Sequence, residues 1–113
     1  MSGGKEEKPV RWVGSSYDDW RRFPDDVQDV MGYALDLAQH GKKADNTKPL
    51  KGFKGASVLE IVDDFDGDTY RGIYTVQLKG VVYVLHAFQK KSKKGRATPK
   101  SDIQLIEQRL KEA

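Results

Sequence analysis

"SVLEIVDDFDGDTYRGIYTVQLKGVVYVLHAF", residues 57–88, decides the fold. Three runs rich in Val, Ile, Leu, Tyr and Phe follow one another at 57–65, 69–78 and 81–88. Their joints, "DGD" at 66–68 and "KG" at 79–80, are short turn sequences of the kind that connect antiparallel neighbours. The spacing predicts a three-stranded meander. Strict alternation in the third run puts Val82, Val84, His86 and Phe88 on one face and Val81, Tyr83, Leu85 and Ala87 on the other. A strand apolar on both faces belongs inside a sheet, under a helix.

On the N-terminal side, "VRWV" at 10–13 predicts a short strand with Val10 and Trp12 on one face, closed by "GSS" at 14–16. "YDDWRRF" at 17–23 suits a short helical turn. Pro24 opens a stronger helix with Asp25 and Asp26 in its first turn, where carboxylates suit the positive end of the dipole. Val27, Val30, Met31, Ala34, Leu35 and Ala38 give it one apolar stripe, which should lie across the sheet, and Gly41 is its expected stop. "GKKADNTKPLKGFKG" at 41–55 has no period and predicts a loop exposing Lys48, Lys51 and Lys54. Beyond the meander, Thr98 and Pro99 form an N-cap and first-position pair for a last helix with Ile103, Ile106 and Leu110 on its apolar side. The expected fold is α+β: a small antiparallel sheet, made of the meander plus an N-terminal strand, flanked by helices. A disordered tail over 1–8 should precede one domain over 9–113, because 113 residues support a single core.

Several function classes drop out. With no cysteine, a disulfide framework, a thiolate zinc site and a cysteine nucleophile are excluded. No phosphate-cradling glycine loop is present, His40 and His86 lack metal-ligand spacing, and "DDFDGD" lacks the calcium-loop pattern, so neither metal nor cofactor is expected. The N-terminus has no apolar core segment and no window approaches the ~18 apolar residues of a membrane span, which predicts a cytoplasmic protein.

Charge points the other way, toward a partner. The net charge is only +3, yet Lys90, Lys91, Lys93, Lys94, Arg96 and Lys100 crowd one segment without an acid, while Glu60, Asp63, Asp64, Asp66 and Asp68 crowd another. Such a basic patch suits a polyanion such as nucleic acid, and a solvated loop accounts for it equally well. In the meander the start of the second strand and the end of the third lie toward one edge, so Arg71, His86, Lys90 and Lys91 can gather there, with Lys51 and Lys54 brought round by their loop. Metal-free RNA cleavage needs such a set: the ribose 2′-OH attacks the adjacent phosphate, so the site needs a base, an acid and cations. His86 suits proton transfer because an unperturbed imidazole titrates near neutrality, and Arg71, Lys90 and Lys91 suit the phosphate. Each has a structural alternative: His86 as a core histidine with a backbone partner, Arg71 paired with Asp63 or Asp64 across the hairpin, and Tyr70, Tyr74 and Tyr83 as strand residues rather than base-stacking platforms.

Taken together, "KPLKGFKGASVLEIVDDFDGDTYRGIYTV" and "VYVLHAFQKKSKKGRATPKSDIQLIEQRL" resemble the phage-derived toxin-like proteins of the RelE/HigB superfamily of type II toxin–antitoxin systems, from about Val10 onward. The resemblance implies a RelE-like fold and a ribosome-dependent, metal-independent endoribonuclease that cleaves messenger RNA until a cognate helix-turn-helix antitoxin occupies it. By position, Arg71, His86, Lys90 and Lys91 would be catalytic, and Lys48, Lys51, Lys54, Lys93, Lys94 and Arg96 would bind RNA, read by shape rather than base code. Two positions depart from the family pattern: Val62 stands where many relatives have an arginine, and Gln89 and Lys90 stand where some have a catalytic tyrosine. A non-catalytic RNA- or ribosome-binding protein and a protein-interaction module are the alternative readings.

Overall fold

The computed structural model describes residues 7–53, 57–76, 78, 80–90 and 98–113. Its elements run β1 (Val10–Trp12), α1 (Ser16–Arg21), α2 (Asp25–Gln39), β2 (Thr47–Pro49), β3 (Val58–Phe65), β4 (Asp68–Thr75), β5 (Val82–Lys90) and α3 (Lys100–Glu112). The meander forms as the spacing predicts. Asp66 and Gly67, with φ of 53° and 88°, make the two-residue turn between β3 and β4, a geometry open to Asp and Gly because both tolerate positive φ.

Five strands form one mixed sheet in the order β1-β5-β4-β3-β2. β1 joins β5 in parallel, and the other pairings are antiparallel. The sheet is one strand wider than the sequence reading, because Thr47–Pro49, inside the expected loop, pairs with Leu59–Ile61. Three residues carry no readable period, and Pro49 is tolerated because this strand is an edge.

α2 covers one face. Val27, Met31, Ala34, Leu35 and Ala38 are buried and pack with Leu59, Ile61, Tyr70, Tyr74, Val82, Val84 and Ala87. Burial of a side chain such as Val27, Met31 or Leu35 contributes about 1.5–3 kcal/mol. Gly72 lets the helix approach, since a Cβ there would lie 3.2 Å from Met31 Sδ. Val30, expected in the apolar stripe, is instead exposed. The helix ends in a Schellman motif: the Lys42 N–H donates to the Leu37 carbonyl, the Gly41 N–H to Ala38, and Gly41 takes φ of 78°. Lys8, at the end of the expected tail, is held to the same helix end by exchange with Gln39.

α3 covers part of the opposite face, packing Ile103, Ile106 and Leu110 with Leu50, Val58, Ile73 and Leu85. β5 does not alternate strictly. Ile73 faces His86 and Tyr74 faces Val84, which leaves Leu85 as the extra residue of a β-bulge. His86 and Phe88 therefore share the α3 face, while Val82, Val84 and Ala87 stay on the α2 face. This corrects the strict alternation expected of the strand.

Candidate functional site

The α3 face carries the polar chemistry, and the register sets its rows. One row is Lys48, Glu60, Ile73 and His86; the next is Val62, Arg71 and Phe88; the third is Asp64, Thr69 and Lys90. Arg71, His86 and Lys90 thus come together on one face, as the meander predicts. Lys48 is exposed at the edge of the His86 row. Lys51 is not brought round: it follows Leu50, whose N–H bonds Val58, at the strand end about 20 Å from the Lys90 row at ~3.3 Å per residue. Lys54, Lys91, Lys93, Lys94 and Arg96 lie outside the described residues.

Arg71 and Glu60 are only 5% and 3% exposed, and Arg71 Nη1 lies 2.6 Å from Glu60 Oε2. A buried charge needs a partner, and this pair supplies it. The partner expected from sequence, Asp63 or Asp64, is displaced by geometry. Asp63 pairs with Tyr70 on the α2 face, and Asp64 accepts the Thr69 hydroxyl at 2.8 Å. Thr98 completes the cluster, its Oγ1 3.2 Å from both Arg71 Nη1 and Glu60 Oε2. Thr98 was expected to cap α3, but Pro99 occupies that position with ψ of 150°, and its carbonyl receives the Asp102 and Ile103 N–H groups.

Asp102, in the first turn of α3, accepts from His86 Nε2 at 2.8 Å. A proton held at Nε2 leaves Nδ1 as the ring's lone-pair nitrogen. That atom is buried and has no hydrogen-bond partner among the described residues. Phe88 stacks on the ring with centroids 4.7 Å apart. Arg109 ties α3 to the bulge by donating to the Leu85 carbonyl at 3.0 Å. The face can thus orient one imidazole with a carboxylate, an arrangement suited to proton transfer. Among the described residues the ligand atoms close enough to share a metal are those of Glu7, Asp36 and His40, exposed at the C-terminal end of α2.

Glu60, Thr98 and Asp102 were not singled out from sequence as parts of this site. Glu60 had a signal, a lone acid inside "VLEIV" at an inward position, which in a strand demands a buried cation. Asp102 had none, because an acid in a first helical turn is explained by the dipole alone.

The architecture defines the chain's class before its family. It is similar to the Escherichia coli toxin RelE, solved as a double mutant in the free state, with a TM-score of 0.57 at 15% identity over 94% of this chain and 97% of that one. The toxin–antitoxin complex RelBE2 of Mycobacterium tuberculosis is similar at a TM-score of 0.49 and 16% identity over 79% of this chain and 98% of that one. The fold is therefore the RelE-like α+β fold expected from the sequence. No curated protein matches the chain significantly. The model of the phage-derived Gp49-like family (DUF891) matches residues 18–111, and the chain belongs to that family.

Proposed function

We propose that the chain is the toxin of a type II toxin–antitoxin pair: a metal-independent endoribonuclease that cleaves messenger RNA on the ribosome in the cytoplasm and is neutralised by a cognate helix-turn-helix antitoxin. The observation that carries the reading is His86, oriented by Asp102 with its Nδ1 unpartnered among the described residues, on the face that also bears Phe88 and Lys90 in a RelE-like fold. His86 moves the proton of the attacking 2′-OH or of the leaving oxygen, a step that requires its buried Nδ1 to become accessible when RNA binds, and Lys90 with Lys91 opposes the charge developing on phosphorus. Arg71, neutralised by Glu60, lies in the row between His86 and Lys90. Lys48, Lys51, Lys54, Lys93, Lys94 and Arg96 hold RNA phosphates.

A second reading, RNA or ribosome binding without cleavage, is favoured by one observation. The Arg71 guanidinium is paired and Val62 lies across from it, so the row beside His86 exposes no unpaired cation among its described residues.

Controlled expression in bacteria, with growth followed and messenger RNA 5′ ends mapped, tests both. Wild type should arrest growth and create new ends within translated frames; His86→Gln and Lys90→Ala/Lys91→Ala should fold normally and create none. Arrest without new ends supports the binding-only reading, and new ends persisting in both folded variants remove the site.

A further inference from the structure

α2 faces outward on the side of the sheet opposite His86, and its outer surface differs in kind from the rest. The helix carries Asp25, Asp26, Asp29 and Asp36 with no Lys or Arg. Within that acidic surface Val30 and Tyr33 are 37% and 64% exposed, although the helix has a well-filled apolar side elsewhere. A shallow recess of ≈ 430 Å³ lies there, lined by Asp29, Val30, Tyr33, Ala44, Asp45 and Asn46. Among the described residues, Asp26, Asp29 and Asp45 form no ion pair. The negative field continues onto the neighbouring hairpin. The Asp63 carboxyl is held above its ordinary value by burial first and then by Asp64 and Asp26, so like charges meet there.

We propose that this surface docks a basic polypeptide segment carrying an aliphatic anchor. The anchor enters the recess beside Ala44, Asp29 and Asp45 receive Lys or Arg, and the Tyr33 ring offers its face to a guanidinium. Charge complementarity selects this occupant: a polyanion is repelled, and an uncharged apolar partner would leave the carboxylates desolvated without partners. Two adjacent exposed apolar side chains beside a recess also exceed the isolated ones that any surface carries. Because the face proposed to bind RNA lies on the other side of the sheet, both partners can be held at once.

The test uses the full chain and a short acetylated helical peptide of Arg, Leu and Ala, titrated by NMR and calorimetry at low salt, with an RNA oligonucleotide as competitor. Expected are saturable binding, amide shifts centred on α2 and 44–46, and weakening with added salt. Val30→Ser/Tyr33→Ser should weaken it about 10-fold, the scale of a lost anchor. Asp29→Asn/Asp45→Asn and a Leu→Ser peptide should each weaken it too. The proposal is overturned by absence of saturable binding, by binding unchanged in Val30→Ser/Tyr33→Ser, by displacement of the peptide by RNA from these residues, or by self-association of the chain through this patch in sedimentation.

Discussion

Replacing Arg71 by Ala should destabilise the protein severely, before any question of catalysis arises. Arg71 and Glu60 are 5% and 3% exposed and 2.6 Å apart, so the substitution strands a carboxylate in the interior beside the Thr98 hydroxyl. Removing one partner of a buried pair costs ~3–5 kcal/mol, against a total stability of about 5–15 kcal/mol for a small domain. At about 4 °C per kcal/mol for a domain of this size, Tm should fall by roughly 12–20 °C. Glu60→Leu/Arg71→Met, which removes both charges and keeps the volume, should recover most of the loss. Urea denaturation of wild type, both single variants and the double variant measures the coupling. An Arg71→Ala protein within ~1 kcal/mol of wild type at pH 7 would refute the reasoning, and so would a double variant no better than Arg71→Ala. The consequence for function is direct: loss of toxicity in Arg71→Ala cannot be read as loss of a catalytic group unless the variant is shown to be folded.

Three further outcomes are expected. Tyr74 is buried with its hydroxyl unpartnered among the described residues, and burial pushes its pKa up to about 12; stability should be unaffected below pH ~10 and fall by roughly 2 kcal/mol as pH rises toward 12, a loss absent in Tyr74→Phe, which should match or exceed wild type at pH 7 in thermal melts. Because the folded-state pKa of Asp63 is raised, its ionised form opposes folding; Asp63→Asn should therefore raise Tm at pH 7, and the gain should fade as pH falls toward the ordinary carboxylate range. Gly67→Ala, at φ of 88°, should cost about 1–2 kcal/mol by urea denaturation, whereas Gly67→Asn should cost less.

How much of this was legible in the sequence depends on the range of the interactions. The meander, the Asp66–Gly67 turn and α2 rest on neighbours within a few residues, where alternation, positive-φ residues and the three-to-four-residue step act directly. β2 has only three residues and exists because β3 offers an edge, so nothing local announces it. Thr98 carried a true local signal, a hydroxyl before a proline, yet Glu60 and Arg71 make the hydroxyl more valuable inside the protein than at a helix end.

The bulge at Leu85 has the largest consequence for function. Without it, alternation would carry His86 to the α2 face among Val82 and Val84 and leave Asp102 without its partner. One extra residue moves the imidazole across the sheet, and Arg109 of α3 bonds the Leu85 carbonyl beside it. A bulge of this kind leaves no glycine or proline as a marker, because Leu85 is retained by burial against Val58, Ile73 and Ile106 rather than by backbone preference. The side on which His86 faces, and with it the candidate site, is therefore a tertiary property. The choice of α3 as the cover of that face decides it, through one apolar side chain and two polar contacts, from Asp102 and Arg109.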